Sequence, residues 1–133
     1  MAEGGCHCGA VRFAVTGAPA RVGLCHCTDC RRSSGAPMVA WAVMGEDQFR
    51  VTAGEAKPYA SSEHGRRHFC PACGTGLYYT NAVVFPGMVD VQLATLDDPD
   101  AFAPMEQIQT AERIGWMEAA HTLPAHARFP EDL

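Results

Sequence analysis

Cys25-His26-Cys27-Thr28-Asp29-Cys30 sets three thiols within six residues. Thiolates hold zinc tetrahedrally at about 2.3 Å, which puts neighbouring sulfurs about 3.8 Å apart. In an extended segment alternate side chains share a face, so Cys25 and Cys27 point one way and His26 the other. Thr28 reads as the N-cap of a short helical turn ending near Gly35, with Asp29 as a further capping side chain. That turn lifts Cys30 back towards the first two sulfurs, and its N-terminal N–H groups and dipole favour thiolate over thiol. The segment thus predicts a tripod for one ion with the fourth position open, the arrangement of a catalytic zinc. A fourth, distant ligand would instead make the site structural.

The remaining cysteines fall into two pairs, Cys6 with Cys8 and Cys70 with Cys73, so the seven divide into four and three. Cys70-Pro71-Ala72-Cys73-Gly74 has the spacing of a zinc knuckle: proline fixes the first turn residue and glycine admits a positive φ after the second thiol. Around the other pair, Gly4-Gly5-Cys6-His7-Cys8-Gly9 lets the backbone turn and approach a ligand closely, with His7 facing away. Cys6, Cys8, Cys70 and Cys73 are therefore expected to form one closed, all-thiolate zinc site that fastens the start of the chain to its middle. Pairing Cys6 and Cys8 with two tripod members would strand Cys30 and break the knuckle.

Between these groups the chain reads as short strands. Val11–Val15 alternates, and Arg21–Leu24 leads into the tripod. Met38–Met44 is a continuous apolar run bounded by Pro37 and Gly45, hence a buried strand. Phe49–Thr52, Lys57–Ser61, Leu77–Tyr79 and Gly87–Leu93 follow, with a hairpin turn at Ser62–Gly65 and an edge strand at Glu106–Thr110. The expectation is a mainly β protein, one domain over residues 1–133, with a proline-rich C-terminal tail from about residue 120 that forms no long helix.

With 133 residues, 47% apolar and 19% charged, the composition is that of a globular protein. The net charge is −5 and Lys57 is the only lysine. No basic cluster of the kind that binds nucleic acid is visible. No membrane-length apolar run and no secretory signal are seen either, so the expected compartment is the cytosol, where clustered cysteines are metal ligands rather than disulfides.

The three cysteine groups together, Gly-Gly-Cys-His-Cys-Gly, Cys-His-Cys-Thr-Asp-Cys-Arg-Arg-Ser-Ser-Gly-Ala-Pro and Phe-Cys-Pro-Ala-Cys-Gly-Thr, resemble the glutathione-dependent formaldehyde-activating enzyme family from Gly4 to about Trp116. The resemblance implies a β-tent fold of small antiparallel sheets with two zinc ions. Cys6, Cys8, Cys70 and Cys73 would hold the structural ion, and Cys25, Cys27 and Cys30 the reactive one. It implies a carbon–sulfur lyase that joins formaldehyde, or another small aldehyde, to glutathione or a related thiol, giving S-(hydroxymethyl)glutathione in the family's named reaction. Its partners would be a small thiol and an aldehyde, with no nucleic acid and no membrane; a homodimer is compatible with the pattern. The open zinc position suits binding of a thiolate or polarisation of a carbonyl. The alternative is a non-catalytic zinc scaffold, as in centromere protein V, which resembles this family but adds a basic extension.

Arg31, Arg32, Arg66 and Arg67 are candidates for glutathione's carboxylates, because guanidinium recognises carboxylate bidentately. Trp116 is a candidate at the substrate rim, although Trp41 and Trp116 also read as packing residues. His64 and His68 are the histidines available to close the second site. Where the family usually carries a His-Ile pair and a Ser-Lys step before a tryptophan, this chain has Gln107-Ile108 and Glu112 before Trp116.

Overall fold

The computed structural model describes residues 1–132. It bears out a mainly β chain. Ten strands run as β1 (Ala2–Gly5), β2 (Arg12–Val15), β3 (Arg21–Cys25), β4 (Val39–Gly45), β5 (Phe49–Ala53), β6 (Lys57–Ala60), β7 (Gly65–Phe69), β8 (Gly76–Asn81), β9 (Phe85–Gln92) and β10 (Glu106–Ile108). One α-helix, α1 (Thr28–Ser34), lies between β3 and β4. The strands make a three-stranded sheet, β1-β2-β5, and a seven-stranded sheet in the order β10-β3-β4-β9-β8-β7-β6.

Strand β4 explains the unbroken apolar run. It sits inside the larger sheet between β3 and β9, and both its faces are covered, so alternation is not required. One face contributes Ala42 and Met44 to a core with Phe13 and Val15 of β2, Val89 and Val91 of β9, and Leu77 of β8. The other face contributes Val39 and Trp41 to a second cluster with Cys25 and Cys30. The larger sheet therefore buries its main core on one side and carries the tripod on the other.

Two features lay beyond the sequence pattern. Strand β1 forms from Ala-Glu-Gly-Gly, which has no hydrophobic period; it pairs antiparallel with β2, and Gly4 is required because a Cβ there would come within 2.6 Å of the Phe13 ring. Strand β10 pairs with β3 in parallel, whereas the other described strand pairs are antiparallel. A bidentate contact from Arg21 to Glu106, at 2.6 and 2.7 Å, helps hold it there. The hairpin at Ser62–Gly65 forms as expected, closed by the Gly65 N–H donating to Ser62 Oγ at 2.9 Å. Among the described residues the C-terminal stretch forms no long helix, only a 3₁₀ segment at Gly115–Thr122. Trp116 is not packed there but 60% exposed. No described helix is long and apolar enough to cross a membrane.

Leu77 is fully buried at the junction of the knuckle and the core. Leu77→Ala should lower stability by roughly 2–5 kcal/mol, read as a shift of the urea midpoint at fixed zinc concentration.

Candidate functional site

The four-cysteine cluster joins the β1–β2 turn to the β7–β8 turn. In the first turn the Val11 N–H donates to Cys6 Sγ at 3.2 Å. In the second the Cys73 N–H donates to Cys70 Sγ at 3.4 Å, and Gly74 takes φ +83 as the knuckle requires. The turns are also tied directly, by the His7 N–H donating to Thr75 Oγ1 at 3.1 Å. The Cys6–Cys8 and Cys8–Cys70 sulfur separations are 3.6 and 3.8 Å, close to the edge of a tetrahedron around one metal ion. Hydrogen bonds from the Thr75 hydroxyl and backbone push the Cys73 thiol down to about 5. His7 is exposed and faces away.

The tripod forms largely as the spacing predicts, with one correction. The N-cap of α1 is Cys27, not Thr28: its Sγ accepts the Cys30 N–H at 3.2 Å, so a ligand sulfur takes the donor that a hydroxyl would otherwise satisfy. Thr28 is instead the first helical residue. Its N–H donates to Glu112 Oε1 at 3.1 Å, placing a carboxylate at the helix start. Gly35 ends the helix at φ 66, its N–H returning to the Arg31 carbonyl. Cys25 and Cys30 sulfurs lie 3.6 Å apart. All three sulfurs fall within 4.8 Å of one another, and among the described residues no fourth Cys, His, Asp or Glu joins the group. Both sets are wholly sulfur, the donors that soft or borderline metals such as zinc accept.

His26 turns away from the sulfurs, as expected, but is not idle. It is 1% exposed, and its Nε2–H donates to Gln107 Oε1 at 2.8 Å while its backbone N–H donates to the Ile108 carbonyl at 3.1 Å. Gln107 and Glu112 therefore both brace the tripod segment.

Register assembles the rest of the site. Arg67 of β7 lies opposite Tyr79 of β8, Tyr79 opposite Asp90 of β9, and Asp90 opposite Val43 of β4, so these side chains share the tripod face. Arg67 Nη2 and Nη1 lie 3.9 and 4.0 Å from Cys30 Sγ, and the guanidinium sits 5.3 Å from the Tyr79 ring centroid. Hydrogen bonds from the Cys25 and Cys27 thiols and from Arg67, with that cation's charge, push Cys30 down to about 5. Asp90 is driven the other way, up to about 7, by burial and then by the charge of Cys30. Its Oδ1 and the Nε of Arg67 are buried without partners. A cavity of about 300 Å³ opens beside Cys30 and Arg67.

Of the arginines considered, Arg67 reaches the sulfurs. Arg66 donates to carbonyls of Ser62, Glu63 and Gly65, and it lines a different hollow with His64. Arg31 donates to Thr28 Oγ1, and Arg32 is exposed; neither lines the cavity. Trp116 is outside it as well, whereas Trp41 is one of its walls. His68 hydrogen-bonds Thr80 and stacks on Tyr78, and His64 is exposed beside Glu63; neither joins a sulfur cluster. Asp90 and Tyr79 were not singled out from the sequence, because only strand register brings them to the site.

Residues 1–112 match the family described as glutathione-dependent formaldehyde-activating enzyme. The chain belongs to that family. Members of this enzyme family similar to it include a protein of Halomonas elongata provisionally named for that activity, 34% identical over 128 residues, covering 89% of this chain and 80% of that protein. A Schizosaccharomyces pombe protein named as an uncharacterized lyase is 30% identical over 114 residues, covering 75% and 82%. The fold also matches the crystal structure of a Rhodobacter sphaeroides protein, with TM-score 0.61 and 26% identity, covering 79% of this chain and 98% of that one. Adduct chemistry between glutathione and formaldehyde is thus the family's theme.

Two outcomes follow for this member. Gln107→Ala leaves the buried His26 ring without its side-chain partner, and should cost roughly 1–2 kcal/mol in denaturant unfolding. Asp90 carries a folded-state value raised from 3.8 to about 7, so the folded protein keeps a proton that the unfolded chain releases, and stability falls as pH rises through that window. Asp90→Asn removes the penalty. Its stability advantage over the parent should grow by about 1 kcal/mol between pH 6 and pH 8 in thermal or urea unfolding.

Proposed function

We propose that the protein is a zinc-dependent carbon–sulfur lyase that makes or cleaves the adduct of glutathione, or a related small thiol, with formaldehyde or another small aldehyde. The observation that carries this reading is the tripod: three sulfurs of Cys25, Cys27 and Cys30 within reach of one ion, no fourth protein ligand among the described residues, and a cavity beside them. Cys6, Cys8, Cys70 and Cys73 fit a closed, structural ion. Zinc held by the tripod would supply a Lewis-acid position open to a thiol sulfur or a carbonyl oxygen.

The reaction needs little else. A carbon–sulfur bond forms as the carbonyl π pair moves to oxygen, and the proton lost by the thiol ends on that oxygen. The chain's own part is electrostatic positioning. Three thiolates holding a dication would carry a single net negative charge, which the Arg67 guanidinium, 3.9 Å from Cys30 Sγ, would balance. Asp90, its carboxyl raised to about 7 by burial, carries less than a full competing negative charge there near neutrality and none in mild acid. The guanidinium is thereby free to donate to the developing alkoxide. The buried His26–Gln107 pair and the Glu112 contact at the helix start keep the three sulfurs in register.

Exchange spectroscopy at equilibrium tests the proposal. Zinc-loaded protein should accelerate formation and breakdown of S-(hydroxymethyl)glutathione, and Cys30→Ser should reduce that acceleration at least tenfold while the fold, monitored by circular dichroism, persists. Equal acceleration by parent and Cys30→Ser would contradict it, as would none at any small thiol.

A further inference from the structure

Formaldehyde has two heavy atoms and fills on the order of 60 Å³, taking about 30 Å³ for each water-sized unit. The cavity beside the tripod measures about 300 Å³. Trp41 of β4, Tyr59 of β6 and Phe69 of β7 line it with Val39, and its polar lining includes Ser33, Ser34 and Gln92. Among the lining side chains only Arg67 carries a permanent charge, and it sits at the sulfur end.

These walls do not match a tripeptide bearing two carboxylates and an ammonium, which calls for several fixed charges. They match a ring. A cavity of about 150 Å³ with apolar walls accepts benzene, so 300 Å³ holds a ring and the short linker joining it to a reacting centre. The placement is also ordered: the aromatic walls stand on β4, β6 and β7, while Cys30 and Arg67 mark the side where sulfur, carbon and oxygen would react.

Resting on the lyase reading above, we infer that this cavity is a specificity pocket for an apolar, aromatic-sized substituent on the thiol–aldehyde adduct, with the adduct's oxygen directed to Arg67. The reaction keeps its balance: one carbon–sulfur bond forms, the carbonyl oxygen takes the thiol proton, and no other reactant enters. The substituent belongs either to the thiol or to the aldehyde, and the pocket recognises the same chemistry from both.

Two arms separate these sources. Zinc-loaded protein is given formaldehyde with benzyl mercaptan or ethanethiol, and glutathione with phenylacetaldehyde or acetaldehyde. Exchange rates give kcat/KM, and isothermal titration calorimetry gives thiol binding independently of turnover. In one arm the aromatic member should exceed its small counterpart at least tenfold in kcat/KM, the scale on which an apolar pocket discriminates by size. Tyr59→Ala, at an edge-strand side chain 57% exposed, should reduce that aromatic-to-small ratio at least threefold without unfolding the protein. If the thiol carries the substituent, benzyl mercaptan should also bind at least tenfold tighter than glutathione. Ratios near one in both arms, with calorimetry preferring glutathione, would overturn the inference. Tight aromatic binding that Tyr59→Ala weakens, with no exchange acceleration for any pair, would leave the pocket standing and remove the lyase reading instead.

Discussion

Thiolates gathered a few ångströms apart repel one another, and the chain answers that repulsion with backbone N–H groups aimed at sulfur. The Val11 N–H faces Cys6, the Cys73 N–H faces Cys70 and the Cys30 N–H faces Cys27, at 3.2 to 3.4 Å. In each case a turn or a helix start supplies the donor, because those are the places where backbone N–H groups lack a partner in regular structure. Strand ends, turn types and glycine positions follow from this need: Gly9 and Gly74, both at positive φ, let the two outer turns bend around their sulfurs.

The larger sheet turns that local requirement into a site. Its one face packs on the three-stranded sheet through Ala42, Met44, Val89 and Val91, which fixes the strand register. Fixed register then dictates the other face, where Arg67, Tyr79 and Asp90 fall in one row beside the tripod. A single-residue slip would move all of them to the core side. The rigidity of the hydrophobic core is thus what holds a cation 3.9 Å from Cys30 and keeps a carboxyl buried nearby.

What was legible beforehand is what is local. Thiol spacing, knuckle proline and glycine, the helix end at Gly35 and most strands follow from neighbouring residues, because turn geometry and side-chain period act within a few positions. Cys27 displaced Thr28 as the N-cap for a reason of chemistry: a sulfur destined for a metal can also accept an N–H. Contacts across long sequence separations were not legible. Gln107 meets His26 and Glu112 meets Thr28 only because β10 lies parallel to β3, a pairing with no signature in a three-residue strand. Arg67 and Arg66 are indistinguishable in sequence; alternation along β7 sends one to the tripod and the other to the Ser62–Gly65 turn. Trp116 looked like packing by its residue type, yet its 3₁₀ segment leaves it exposed.

The central claim is that Cys25, Cys27 and Cys30 hold a second metal ion with one position left to solvent or substrate. Metal analysis of gently purified protein, paired with zinc-edge X-ray absorption before and after adding a small thiol, addresses it most directly. The account predicts two equivalents of zinc, loss of one in Cys30→Ser, and a gain in average sulfur coordination when the thiol is added. A single equivalent in the parent protein, with Cys30 freely alkylated by iodoacetamide, would contradict it.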